Sequence, residues 1–255
     1  MYSFKNDYSE GAHPEILAAL VRSNLQQQDG YGEDEFSLQA AELIKRKIGL
    51  ADSAVHFLTG GTQANLTAIS AFLRPHEAAI SASTGHVLVH ETGAIEATGH
   101  KVISVDSSNG KLTAEQVRKV VTGHGDEHMV KPRLVYLSQP TEVGTIYSRL
   151  EMEQISRVCR ELGLWLFVDG ARLGSALCAA GNDLSLPLLA GLVDAFYIGG
   201  TKNGALLGEA LVIRAEALKA DFRYHMKQKG ALLAKGRLIG IQFLTLFTGE
   251  LYFEL

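Results

Sequence analysis

The sequence predicts an α/β layered domain built on a mainly parallel sheet with helices flanking it. Two observations carry that reading. Short apolar runs rich in β-formers alternate with helical patterns along most of the chain, and several of those runs end on residues able to do chemistry. Strands that alternate with helices are joined by crossovers and so lie parallel. The 255 residues suffice for a full core, and 46% hydrophobic with 20% charged residues is ordinary for a globular chain.

In order, residues 1–12 are polar and irregular and read as an arm. Pro14 opens a helix with Ile16, Leu17, Leu20 and Val21 on one face. After the loop 29–34 comes a second amphipathic helix bearing Leu38, Ala41, Leu43, Ile44 and Ile48. Residues 54–58 read as a strand, and Gly60, Gly61 and Thr62 lead into a helix over 63–73. Residues 78–81 form a short strand with Gly85 and His86 just beyond it. Residues 87–98 mix strand and helix signals and are assigned to a helix. Then come a strand at 101–105, a helix at 113–121, a strand at 133–138 and a helix at 150–162. Two more strands, 164–168 and 195–198, are followed by 209–213, which can pair antiparallel as a hairpin. Residues 231–247 carry a long apolar helical pattern. There is no internal repeat, low-complexity tract or evident linker.

The stretch 194–204 is the centre of the functional reading. Its buried strand breaks on Gly199 and Gly200 and delivers Thr201 and Lys202. An amine at the end of a buried strand is partly desolvated, which favours the neutral nucleophile. By itself Lys202 reads more simply as a loop lysine reaching solvent. A second buried strand, 164–168, ends in Asp169 with Arg172 close behind. A strand-end aspartate upstream of a strand-end lysine is what pyridoxal 5'-phosphate (PLP) requires. The lysine forms the Schiff base, and the aspartate keeps the pyridine nitrogen protonated. In an open α/β sheet, ligands gather where strands end. Three other features fall there: Gly60-Gly61-Thr62, His86, and the run Ser138 to Glu142. A glycine-rich turn at a helix N-terminus binds phosphate through free N–H groups, although it is also an ordinary strand-to-helix turn with Thr62 as cap. Asp169 could likewise cap the next helix, and Arg172 could be a salt-bridge partner on it. The conjunction favours a PLP site.

These motifs resemble the L-threonine aldolase and β-eliminating lyase family over residues 1 to about 250. The most specific pieces are Tyr31-Gly-Glu-Asp34, Gly60-Gly-Thr-Gln-Ala-Asn65, the segment Glu91 to Gly99, and Leu166 to Gly174. The resemblance implies a PLP-dependent enzyme of fold type I, the aspartate-aminotransferase-like fold. It implies that Gly60, Gly61, Thr62 and Thr201 contribute to cofactor binding, that His86 stacks on the ring, that Asp169 binds its nitrogen, and that Lys202 carries it. Arg172 then lies near the substrate carboxylate and the cofactor's phenolic oxygen. Asn6 stands where relatives often have a serine touching that carboxylate, Tyr31 matches a pocket tyrosine, and His128 matches a histidine at the substrate's β-hydroxyl. Where relatives often have a Glu-Asn-Thr-His run, this chain has Ser138-Gln-Pro-Thr-Glu142, so Glu142 stands near a family histidine. The implied domains are an arm and helix at 1–30 and a large PLP-binding domain at 31–250. A small C-terminal domain, with a further carboxylate-binding arginine, is absent or incomplete after 250.

The expected activity is cleavage of a β-hydroxy-α-amino acid to glycine and an aldehyde, with His86 or His128 taking the hydroxyl proton. The alternatives are a β-eliminating lyase on the same cofactor, a non-catalytic protein that kept the fold, and a nucleotide-binding α/β domain. A net charge of −4 gives no footprint for nucleic acid or an anionic membrane. No apolar run is long enough to span a bilayer. Cys159 and Cys178 lack metal spacing, no metal is expected, and a reducing cytoplasm is the expected compartment. The irregular arm and the apolar pattern at 231–247 suggest a homodimer or homotetramer.

Overall fold

The computed structural model describes residues 3–255; the first two residues of the expected arm lie outside them. Helix α1 (Pro14–Ser23) has its proline in the first turn, where a missing N–H leaves no bond unmade. Helix α2 (Glu35–Ile48) starts on Asp34, whose carboxylate accepts the Ser37 N–H at 2.8 Å. Then come β1 (Ala54–Leu58), α3 (Gly61–Phe72), β2 (Glu77–Ala82), the single turn α4 (His86–Val89) and β3 (Val102–Val105). Capping boxes at Thr113/Gln116 and Ser148/Glu151 start α5 (Ala114–Thr122) and α6 (Arg149–Leu162), which flank β4 (Lys131–Ser138). Beyond β5 (Trp165–Asp169) lie α7 (Leu173–Cys178), α8 (Leu186–Leu192), β6 (Ala195–Gly199) and β7 (Glu209–Ile213). The described chain ends with α9 (Phe222–Gln228), α10 (Arg237–Phe247) and α11 (Leu251–Glu254). Among the described residues, no helix is long and apolar enough to cross a membrane.

Among the described residues, seven strands form one sheet in the order β1-β7-β6-β5-β4-β2-β3. Only β7 is antiparallel, to β6 on one side and β1 on the other, so the hairpin expected at 209–213 forms. Strand alternation divides the core between two faces. Leu134, Tyr136, Phe167, Tyr197 and Leu211 point to the face covered by α3 and α9. Val135, Leu137, Leu166, Val168, Phe196, Ile198 and Val212 point to the face covered by α1, α2, α6, α8 and α10. Apolar residues on both sides of each central strand require a sheet covered by helices on both faces.

Two expected helices are corrected. Residues 87–98 are not one helix: α4 stops at Val89, Thr92 and Gly93 take positive φ (53° and 70°), and only a 3-10 turn at Glu96–Thr98 follows. A glycine suits that conformation and a threonine is strained in it, so the helix breaks there. The pattern at 231–247 is helical only from Arg237. Before it, the backbone bonds across the chain, Ala234 accepting the Tyr31 N–H at 3.2 Å.

Candidate active site

Because their strands run parallel, Gly60–Thr62, His86, the 138–142 run, Asp169 and Lys202 all emerge at one edge of the sheet. Each follows the C-terminal end of β1, β2, β4, β5 or β6. Asp169 shares the orientation of Phe167, two residues back, and so faces α3. Its carboxylate is buried and hydrogen-bonded. One oxygen accepts the Tyr136 hydroxyl at 2.5 Å and the Asn65 amide at 3.0 Å, and the other accepts the Ala171 N–H at 3.0 Å. Burial and then the Asp169 charge hold the Tyr136 phenol well above its ordinary range, so it stays a donor.

Asn65 extends this network to a second buried acid. Its amide also donates to Glu91 Oε1 at 2.7 Å, and that oxygen meets His86 Nδ1 at 2.7 Å. The Glu91 hydrogen bond raises the His86 pKa, against a desolvation that would lower it, and the Asp169 charge adds to the rise. With Nδ1 turned to Glu91, the ring presents Nε2 outward. Glu142 ties this turn to β4, accepting the His86 N–H at 2.9 Å and the Ser138 hydroxyl at 2.5 Å. An NMR titration of the His86 ring is therefore expected to show a midpoint above the ordinary histidine value, falling in Glu91→Gln. An unchanged midpoint in that variant would remove Glu91 as the cause.

The arm closes the other side. Arg172 presents Nε and Nη2 side-on to the Asp7 carboxylate, the Nη2–Oδ1 contact being 3.1 Å, which leaves its Nη1 end unused by that pair. Desolvation would raise the Asp7 pKa, but the Arg172 bond and charge, helped by Lys202, hold it below its ordinary value. The Lys202 ammonium lies 5.9 Å from the centre of the Tyr8 ring. The Asn6 side chain turns back on the arm, accepting the Tyr8 N–H at 3.0 Å and the Ser9 hydroxyl at 2.8 Å. The Thr201 hydroxyl turns inward, to Glu209 at 3.0 Å.

Two expected residues stand apart. Tyr31 bonds Ala234 and Arg223 through its backbone and carries Lys227 4.5 Å over its ring. His128 lies in the loop leading into Lys131, the first residue of β4, whose eight residues span roughly 25 Å before the site edge is reached. Within one copy of the chain the sheet separates it from Lys202. Sequence reasoning gave no site role to Asp7, Tyr136 or Glu209, and named Asn65 only within the Gly60–Asn65 motif. Glu91 was visible only as the start of a family-like segment, five residues after His86.

The residues present fit PLP. The N-terminus of α3 has no side-chain cap, so its first N–H groups face the site edge. Gly61 is required there, since a Cβ would come within 2.9 Å of the Tyr197 hydroxyl. Asn65 Oδ1 and Glu91 Oε2 are buried without a partner, as expected beside a site that takes a polar ligand. A buried carboxylate, an amine on the same sheet edge and a turn with uncapped N–H groups complete the set of groups that PLP calls for.

The β-eliminating lyase family matches residues 7–246. The low specificity L-threonine aldolase of a Pseudomonas species is 38% identical over 239 residues, covering 92% of this chain and 68% of that protein. The Saccharomyces cerevisiae enzyme of the same name is 29% identical, covering 91% of this chain and 61% of that one. The threonine aldolase structure from Leishmania major superposes with a TM-score of 0.98 at 52% identity, over 100% of this chain and 74% of that one. Thermus thermophilus aspartate aminotransferase, at 18% identity and a TM-score of 0.75, shares the fold.

Proposed function

The chain belongs to the β-eliminating lyase family, which is PLP-dependent, and from that premise we propose that it is a threonine-aldolase-type lyase. It splits a β-hydroxy-α-amino acid into glycine and an aldehyde. The observation that carries this reading is the meeting of Asp169, Lys202 and the His86–Glu91 pair at one sheet edge.

When bound, PLP supplies an electron-accepting ring that allows a bond to Cα to break. The chain's own residues do the rest. Lys202 offers the amine that anchors the cofactor. Asp169, held by three donors, keeps the proton on the ring nitrogen. The uncapped turn at Gly60, Gly61 and Thr62 takes the phosphate. Arg172, aimed by Asp7, directs its Nη1 end to the substrate carboxylate. His86 would lie against the bound cofactor and takes the β-hydroxyl proton through Nε2, while Glu91 holds Nδ1 and supports the resulting imidazolium. Glu142 acts here by holding the His86 turn.

A role for His128 at the hydroxyl requires a second copy of the chain, and the same holds for Tyr31 in the pocket. The protein accordingly acts as a homo-oligomer, a state in keeping with Leu17, Val21 and Leu25 exposed on and after α1. Sedimentation at micromolar concentration reads this directly, and a fully active monomer would contradict it. Two free cysteines agree with a cytoplasmic setting. The purified protein is expected to absorb visible light after PLP is added, with a spectrum that changes on adding glycine. A spectrum equal to that of free PLP, unmoved by glycine, would refute the reading.

A further inference from the structure

Glu209 is a buried acid that the proposed chemistry leaves unused. It opens β7, is 3% exposed, and lies opposite Gly199 of β6 and Leu58 of β1. Both of its oxygens hold the turn that follows β6. Oε1 accepts the Thr201 hydroxyl at 3.0 Å, and Oε2 accepts the Gly200 N–H at 3.2 Å. Gly208, just before Glu209, closes the same turn. Its carbonyl accepts the N–H groups of Gly200 and Thr201 at 2.9 and 3.2 Å, and its own N–H donates to the Thr201 hydroxyl at 3.0 Å. Lys202 is the next residue, so slack in this clasp moves the amine. We propose that Glu209 is a positioning residue for Lys202, its carboxyl group tying together the two ends of the turn that carries the amine. The inference rests on Lys202 being the cofactor lysine.

An acid in so dry a place needs a reason, because burying a charge is costly unless the group is paired or neutral. Burial pushes the Glu209 carboxyl up to about 8; the Asp169 charge acts in the same direction, while the bonds from Thr201 and Gly200 and the Lys202 charge act against it. The phenols of Tyr197 on β6 and Tyr252 on α11 feel the Glu209 charge, and burial holds both above the ordinary tyrosine range. At pH 7 Glu209 is thus a neutral acid that clasps the turn without adding a negative charge beside Lys202. Above about pH 8 it ionises, and the new charge attracts the Lys202 side chain and holds it back from reaction. The sign for stability follows. A carboxyl raised by the fold contributes fully below the ordinary glutamate range, and that contribution is lost as pH rises through about 8.

Glu209→Gln keeps the shape, its amide oxygen accepting the Gly200 N–H and its NH2 donating to Thr201 Oγ1, but cannot ionise, whereas Glu209→Ala removes the clasp. The first readout uses cofactor-free protein: the acetylation rate of Lys202, followed by peptide mass from pH 7 to 10 and normalised to the exposed Lys101. At pH 7 wild type and Glu209→Gln should match; at pH 9 the glutamine variant should react about three- to tenfold faster. The second readout is borohydride fixation at limiting PLP and pH 7.5. Glu209→Gln should load as wild type does, and Glu209→Ala about fivefold less. Matching acetylation profiles for wild type and Glu209→Gln at every pH would overturn the proposal, as would full loading of Glu209→Ala. If Glu209→Ala does not fold, the acetylation profile of Glu209→Gln decides. Fixation on another lysine in wild type would instead sink the assignment of Lys202, a result read separately from the acetylation profile.

Discussion

Replacing Lys202 by alanine is expected to abolish borohydride fixation of a pyridoxyl group and with it all turnover. The lysine turn is closed by Gly208 and Glu209, and other strand ends at the same side of the sheet carry Asp169 and the His86 turn. Of these, Asp169 ends the adjoining strand β5, while the His86 turn follows β2, two strands beyond β5; the Lys202 charge is felt at Asp7, at His86 and at Glu209. Lys227, by contrast, sits over the Tyr31 ring, and Lys229 follows the end of α9. Peptide mapping after reduction of the wild type should find the label at residue 202. Label at Lys227 or Lys229, or undiminished fixation in Lys202→Ala, would contradict the assignment.

The second large effect is expected at His86. Its Nδ1 is committed to Glu91 at 2.7 Å, which leaves Nε2 as the nitrogen able to take a proton. Loss of a general base lowers turnover by about 10²–10⁴-fold, and His86→Ala should fall in that range. Because the pKa of His86 is raised by Glu91, turnover should climb as pH rises through that elevated value, where the ring becomes neutral. In Glu91→Gln the same limb should move to lower pH. A loss of less than about tenfold in His86→Ala, with the pH limb intact, would pass the role to another base, such as a second copy's His128.

Much of the fold was legible because strand patterns are local. Apolar runs such as 164–168 and 195–198 announce buried strands, and Ser148 with Glu151 announces a helix start. What the sequence hides is whatever depends on long-range packing. The break after Val89 arises from the conformation of Thr92 and Gly93, and the late start of α10 from a backbone bond to Tyr31 across about 200 residues. The site shows the same division. Lys202 and Asp169 stand out because each ends an apolar run. Asn65 shows only as part of the Gly60–Asn65 motif; its task, bridging Asp169 to Glu91 across the top of the sheet, appears once α3 is folded onto β5. Glu209 reads locally as the polar start of a strand, and its partners lie on the preceding turn. His128 was placed by family likeness alone, and one copy of the chain puts it at the opposite end of β4.

The central claim is that these residues break a carbon–carbon bond. Aldol cleavage requires a base at the β-hydroxyl, the role proposed for His86 on its bond to Glu91. Elimination requires removal of the α-proton and a departing β-substituent. The direct measurement is a product assay of the PLP-loaded protein on L-threonine, phenylserine and serine. Glycine with acetaldehyde from threonine, and glycine with benzaldehyde from phenylserine, is the predicted result. Pyruvate and ammonia from serine, with no glycine from either of the other two, would contradict it.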